Sequence, residues 1–219
     1  MKKLNILLTA AVLSLTSLTA CGQNEDKKMG IQEQTEQRFQ LNPHPKKAYR
    51  IKIKINDIPG PLILTQNFYM RYMARNCSYL ITSKIVGATT EPTKFLDYPL
   101  TKTGKDEYEA VVYSDAVLDE DYFGEGVCHW EADGFGGIFK ATGKAEETGF
   151  TFSDLMKNLL EQKKLVKYYW KRDYPYSRKR DGSIYADSTD FGIVSPESYS
   201  PEEKRQNFFS ITVTLEEVK

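Results

Sequence analysis

Tyr49-Arg50-Ile51-Lys52-Ile53-Lys54-Ile55 alternates apolar and basic residues with a period of two. Successive side chains of a strand point to opposite faces, so this stretch predicts a strand with its isoleucines buried and Arg50, Lys52 and Lys54 in water. The far end of the chain repeats the pattern: Phe209, Ile211, Val213 and Leu215 alternate with Ser210, Thr212, Thr214 and Glu216. Between these strands, residues 108–113 read as a third. Residues 67–82, rich in Phe, Tyr, Met, Ile and Leu, read as another around Cys77. Asp57-Ile58-Pro59-Gly60-Pro61 is turn chemistry, and residues 87–98, with Pro92 and no period, read as a loop. Residues 126–131 and 138–142 predict a hairpin around Asp133-Gly134-Phe135-Gly136-Gly137, with Cys128 and Trp130 sharing a face. Leu155, Met156, Leu159 and Leu160 have helical spacing, and Thr151 with Asp154 fits a capping box, so one helix is expected near residues 152–163. Residues 165–170 either extend that helix or start a strand, and their Val, Tyr and Trp content favours the strand. No internal repeat is present, and no helix–strand alternation suggests a parallel sheet. The fold class expected is mainly β, antiparallel and sandwich-like, or a β-rich α+β domain.

Upstream of the first strand, residues 22–47 are polar and charged and end in Asn42-Pro43-His44-Pro45. They read as a flexible tether, on the order of 30 Å long as a coil. Before them, Met1-Lys2-Lys3, an apolar run over residues 4–18 and small residues describe a secretory signal peptide. The run is interrupted by polar residues and is shorter than the ~20 apolar residues that span a bilayer. The Leu18-Thr19-Ala20-Cys21 sequence resembles the lipobox of bacterial lipoproteins. That resemblance implies cleavage before Cys21, its acylation, and anchoring by lipid with no membrane-spanning segment. Gly22, in place of the aspartate that retains such proteins at the inner membrane, implies the outer membrane, facing the periplasm. The expected organisation is a signal peptide over residues 1–20, a lipid-anchored tether over 21–47 and one domain over 48–219.

Basic and acidic residues number 30 each, and Lys2 and Lys3 fall in the leader, so the remainder carries a formal charge of −2. That balance does not point to nucleic acid or an anionic membrane surface. With Cys21 assigned to the lipobox, Cys77 and Cys128 remain, an even pair for an oxidising compartment. A disulfide is the expected state. Two free thiols are an alternative, and a metal site would need more ligands than His129 alone supplies.

The chain is poor in catalytic signals. His44 lies between prolines. His129 neighbours Cys128 but would point away from it on a strand. There is no Gly-x-Ser-x-Gly elbow, no Walker lysine after Gly134–Gly137, and no haem, zinc or dinucleotide motif. Asp119-Glu120-Asp121-Tyr122-Phe123-Gly124-Glu125 matches an EF-hand loop at its first, third and sixth positions. Phe123 occupies the fifth, where an oxygen ligand is needed, and no Glu closes the loop, so it reads as a solvated turn. No catalytic set, metal site or cofactor is expected, and the chain is read as a non-enzyme.

Residues 171–207 are the remaining candidate. They are turn-rich and hold Tyr174, Tyr176, Tyr185, Phe191 and Tyr199 beside the basic cluster Arg178-Lys179-Arg180. Tyrosine and arginine concentrate binding energy at protein interfaces, and long irregular segments in compact domains are commonly functional. These eight residues are the candidate partner-binding set; a surface loop with its tyrosines packed on the domain edge is the competing reading.

With its LTAC lipobox, one later cysteine pair and Gly126-Val127-Cys128-His129-Trp130 after an acidic turn, the chain resembles periplasmic immunity lipoproteins that neutralise type VI secretion lipase effectors. The similarity spans about residues 49–217, and no functional residue carries over position by position. It implies a protein that binds a secreted toxin and occludes its active site. A structural or assembly lipoprotein of the envelope or of a secretion machine is the alternative. An envelope hydrolase using His129, or Asp121 with Glu125, comes third.

Overall fold

The computed structural model describes residues 35–81, 87–198 and 202–218. Cys21, the leader and Tyr199 lie outside the described residues. Two sheets carry the fold. The first orders β11 (Lys164–Trp170), β13 (Phe208–Glu217), β1 (Ala48–Asn56), β7 (Glu107–Tyr113) and β6 (Thr101–Gly104), all antiparallel. The second orders β12 (Thr189–Asp190), β9 (Gly149–Thr151), β8 (Glu131–Lys140), β2 (Ile63–Met73) and β5 (Thr93–Tyr98), with β10 (Asp154–Leu155) also on β8. Only β12 and β9 run parallel among the described pairs. A small ribbon joins β3 (Tyr79–Leu80) to β4 (Thr89–Thr90). The mainly β, antiparallel fold expected from the alternating patterns is the fold observed.

The first and last strands lie side by side in the middle of one sheet. Ile51, Ile53 and Ile55 pair with Leu215, Val213 and Ile211, and all six are buried. The opposite face explains the basic residues of β1. Lys52 reaches Glu216 at 2.7 Å and Lys54 reaches Glu107 at 2.8 Å. These exposed pairs contribute at most about 1 kcal/mol each, but a one-residue slip would bury them all, so they hold the register.

Aromatic side chains fill the space between the sheets. Phe150 of β9 meets Phe209 of β13 edge-on at 4.9 Å, and Phe139 of β8 meets Tyr108 of β7 at 5.5 Å. Two buried tyrosines tie the layers by their hydroxyls: Tyr72 donates to the Tyr113 carbonyl at 2.6 Å, and Tyr169 donates to the Thr151 carbonyl at 2.8 Å. Both phenols are thereby satisfied where an unpaired hydroxyl would be costly.

Several local expectations are corrected. Residues 131–140 form one continuous strand, not the turn of a hairpin. Their glycines serve close packing: a Cβ at Gly137 would sit 2.6 Å from Phe152 Cζ, and one at Gly136 would sit 2.7 Å from Tyr69 Oη. Gly137→Ala is therefore expected to cost about 1–3 kcal/mol by overpacking, read as a lower urea midpoint of the full chain. Phe152 is buried and stacked on Phe68 at 6.2 Å, which leaves it little room to retreat.

The strand expected around Cys77 ends at Met73, and Cys77 lies beyond it in a turn whose N–H donates to the Ala74 carbonyl. Residues 87–98, expected to be a loop, contain β4 and β5, with Pro92 at the break between them. The helix is shorter than expected: α1 (Met156–Gln162) has Leu155, not Thr151, as its N-cap. The edge of β8 captures residues 150, 151, 154 and 155 as strand, so helical backbone starts only after them. The helix buries Met156 and Leu159 and ends at Lys163 in the left-handed region.

The stretch read as a tether up to Lys47 is docked over its last part. Leu41 bridges Val117, the Leu118 N–H donates to the Gln40 carbonyl at 2.9 Å, and Phe39 is 3% exposed. Phe39 packs against Tyr122, Trp130, Tyr79 and Phe123, and the Lys46 and Lys47 N–H groups donate to the Asp115 carboxylate, so an aromatic contact and backbone hydrogen bonds together hold the end of this polar stretch. Cys77 and Cys128 are disulfide-bonded beside this cluster.

Candidate partner-binding surface

The chain leaves β11 at Trp170 and returns to the sheet at Phe208. The excursion between them is fastened at both ends. At its start, the Tyr174 ring stacks on Phe150 at 6.5 Å and its hydroxyl donates to the Pro61 carbonyl at 2.8 Å. The ring lies directly over Gly60, where a Cβ would be 2.4 Å from Tyr174 Oη. The Ser177 N–H then donates to Thr148 Oγ1 at 2.8 Å. At its far end, the Gly149 N–H donates to the Ser188 carbonyl, and Ile193 and Tyr168 exchange backbone hydrogen bonds of 2.9 and 2.8 Å. Asp190 is half-buried here and accepts the Gly192 N–H at 2.8 Å. Burial raises its pKa above the ordinary carboxylate range despite that bond, and the nearby Asp173 carboxyl adds to the rise.

Between these anchors a hairpin stands out from the domain. Arg178 bridges Ile184, the Lys179 N–H donates to the Ser183 carbonyl at 2.8 Å, and the Tyr185 N–H donates to the Ser177 carbonyl at 2.8 Å. Lys179-Arg180-Asp181-Gly182 forms the tip: the Gly182 N–H donates back to the Lys179 carbonyl at 3.0 Å, with Gly182 at φ 85°. Such a turn needs a left-handed residue, and glycine adopts it without strain. Asp181 fastens the return strand by accepting the Ser183 N–H and hydroxyl at 3.0 and 2.7 Å.

All residues from Arg178 to Asp187 are exposed. Ile184 is 39%, Tyr185 50%, Phe191 62% and Val194 75% exposed, so four large apolar side chains within eleven residues face water. Arg178, Lys179 and Arg180 make no salt bridge among the described residues. Arg178 donates to the Gly182 carbonyl at 3.1 Å, and the Lys179 ammonium lies 5.3 Å from the Tyr185 ring centre.

The structure thus divides the sequence-derived set. Arg178, Lys179, Arg180 and Tyr185 lie on the exposed hairpin, Phe191 is exposed beyond its far anchor, and Tyr176 is half-buried at the hairpin base. Tyr174 is removed from it, because its ring and hydroxyl are both spent on the domain. Ile184 and Val194 were not singled out by sequence reasoning, since isolated aliphatic residues in a polar stretch carry no period. The Asp181-Gly182 dipeptide was the local signal for the turn.

The other chemistry-bearing residues are engaged elsewhere. His129 is exposed, with Nδ1 2.9 Å from Asp119 Oδ2, while Asp119 Oδ1 accepts the Trp130 N–H. Asp121 Oδ1 accepts the backbone N–H groups of Phe123, Gly124 and Glu125, which makes the acidic stretch a turn built on its own carboxylate. Among the described residues no group of three or more His, Cys, Asp and Glu is placed to hold a metal ion. No helix among them is long and apolar enough to cross a membrane.

No protein family matches the chain, and no curated protein or solved structure matches it at a significant level.

Proposed function

We propose that the chain is a lipid-anchored periplasmic binding protein that grips a protein partner with the hairpin surface of residues 178–194, and that this partner is a secreted toxin it neutralises. The observation that carries the reading is a hairpin on a fastened base that exposes Ile184 and Tyr185 beside three cations with no salt bridge among the described residues, with Phe191 and Val194 exposed in the segment after it. Water-exposed apolar side chains grouped in this way mark interaction sites, and a fastened hairpin loses little entropy on binding. The lipobox-like leader supports the location, and the likeness to immunity lipoproteins supports the toxin. Arg178, Lys179 and Arg180 would steer an acidic partner, with Tyr185 and Phe191 as anchors.

The test is affinity capture of the full chain from its own cells, followed by an activity assay on whatever co-elutes. A single stoichiometric toxin, silenced by the chain, is the expected result. Tyr185→Ala with Phe191→Ala should weaken that complex by about thirtyfold or more, and Lys179→Glu should slow association most at low salt. Recovery of envelope or secretion machinery in place of a toxin would replace the toxin reading with a structural one. Unchanged capture by the hairpin variants would overturn the placement of the site.

A further inference from the structure

Lys167 occupies a position where the pattern of β11 calls for an apolar side chain. Leu165 and Tyr169 flank it on the same face; Tyr169 is fully buried and Leu165 packs on the core. An inward lysine on an outer strand can guard against edge-to-edge pairing. Here the open edge of β11 is already engaged by Ile193 at Tyr168, so that role does not account for it. Its ammonium makes no salt bridge among the described residues, and burial lowers its pKa against the opposing pull of Asp154. Asp154 Oδ1 is itself committed, accepting the Leu155 N–H at 2.8 Å and Asn158 Nδ2 at 2.7 Å.

Beside Lys167 lies a cleft of about 320 Å³, walled by Tyr69, Arg71, Ser153 and Asp154 with Phe135 beneath. This is at the lower end of the volumes of small-molecule sites, about 300–1,000 Å³. Two glycines leave room for its walls. A Cβ at Gly136 would fall 2.7 Å from Tyr69 Oη and 2.9 Å from Ser153 Cβ, and one at Gly134 would fall 3.4 Å from Arg71 Nη2. Arg71 gives Nη2 to Asp133, but its Nε is buried with no hydrogen-bond partner. A half-buried ammonium that makes no ion pair among the described residues, with only the Asp154 charge acting on it, and the Arg71 guanidinium, shared with Asp133, therefore line one recess.

We propose that this cleft binds a small molecule bearing a carboxylate or phosphate group, its charge held by Lys167 and Arg71 and its remaining polar atoms by the Tyr69 and Ser153 hydroxyls. The cleft takes no lining residue from the 178–194 surface, which meets it only where Gly192 lies against Lys167.

The test titrates the full chain in detergent with inorganic phosphate and, separately, with acetate, following the backbone amide resonances of Gly134 and Ser153. A saturable shift with either anion is expected, and which anion saturates first distinguishes a phosphate from a carboxylate ligand. Lys167→Met should weaken it by about tenfold or more, as for a charged hydrogen bond, while Lys164→Met, on the outer face of the same strand, should leave it unchanged. Tyr69→Phe, which removes only a hydroxyl, gives a second reading independent of Lys167, with about threefold weakening expected. Shifts that never saturate with either anion, or that saturate equally in both cleft variants, would overturn the proposal.

Discussion

Replacing both Cys77 and Cys128 with serine is expected to lower the stability of the full chain by about 4 kcal/mol, because the bond closes a loop across a sequence separation of 51 residues. A urea midpoint with an unchanged slope would check the loss. The effect should also be local. Cys128 sits at the end of the turn-rich stretch after β7, and its N–H donates to the Glu120 carbonyl at 2.9 Å. Cys77 lies in the turn after β2. The bond joins these two segments under Phe39, Tyr79, Tyr122, Phe123 and Trp130, and this aromatic group is the dock for residues 39–42. Hydrogen exchange should therefore quicken first at the Asn42 and Leu118 amides, which bond to the Ala116 and Gln40 carbonyls. The amide of Ile53, in the middle of β1, should follow only global unfolding. Equal quickening at all three amides would mean that the disulfide supports the whole sandwich and not this dock.

How far the fold could be read in advance depended on whether a strand has one wet face. β1 and β13 each bury one side and expose the other, so period two survives in Ile51, Ile53 and Ile55 and in Phe209, Ile211, Val213 and Leu215. β8 has no such contrast. Its outer face carries Gly134 and Gly136, which are buried under Tyr69, Arg71 and Ser153 and not turned to water. Glycines chosen for close approach look like turn glycines in one dimension, which is why a hairpin was expected there. The capping-box residues failed for a related reason. Thr151 and Asp154 have the right spacing, but tertiary pairing with β8 outranks a local cap. The dock of Phe39 was hidden because burial of a single aromatic residue leaves no period.

For the candidate surface, composition located the segment and not the division of labour within it. Tyr174 and Tyr185 are alike on paper, but one lies over Gly60 and the other stands at half exposure in water. Only the contact with Pro61 and Phe150, far away in sequence, separates them. Lys167 was legible in principle: Leu165, Lys167 and Tyr169 share a strand face, and a lysine between two inward residues departs from the binary pattern. Departures of this kind concentrate at functional sites.

Asp133→Ala is expected to cost about 2–3 kcal/mol at neutral pH, from one charged hydrogen bond and a second ion pair at a nearly closed site. The position arises from a bulge. Arg71 pairs with Gly134 and Tyr72 with Ala132, so Asp133 is left without an opposite residue on β2. A bulge re-aims its extra side chain, and the Asp133 carboxylate accepts a hydrogen bond from Arg75 and forms an ion pair with Arg71. Its side chain is 5% exposed, whereas those of Arg71 and Arg75 are 36% and 52% exposed. The guanidiniums can turn to water when the carboxylate is lost, which keeps the cost below the ~3–5 kcal/mol of a fully enclosed pair. For the same reason Arg75→Ala should cost less, about 1 kcal/mol, since Arg71 remains. The pH dependence separates charge from shape. Burial pushes the Asp133 carboxyl up, but the hydrogen bonds and charges of Arg75 and Arg71 outweigh it and hold it below the usual carboxylate range. A carboxyl with a depressed folded pKa stabilises fully above its unfolded value of about 3.9 and loses that contribution as pH falls through the folded value. The gap between wild type and Asp133→Ala should therefore stay level from pH 7 to about pH 5 and shrink below about pH 4. A gap as large at pH 3 as at pH 7 would assign the loss to the bulge backbone and its packing, and would remove the ion pairs as the reason this aspartate holds β2 to β8.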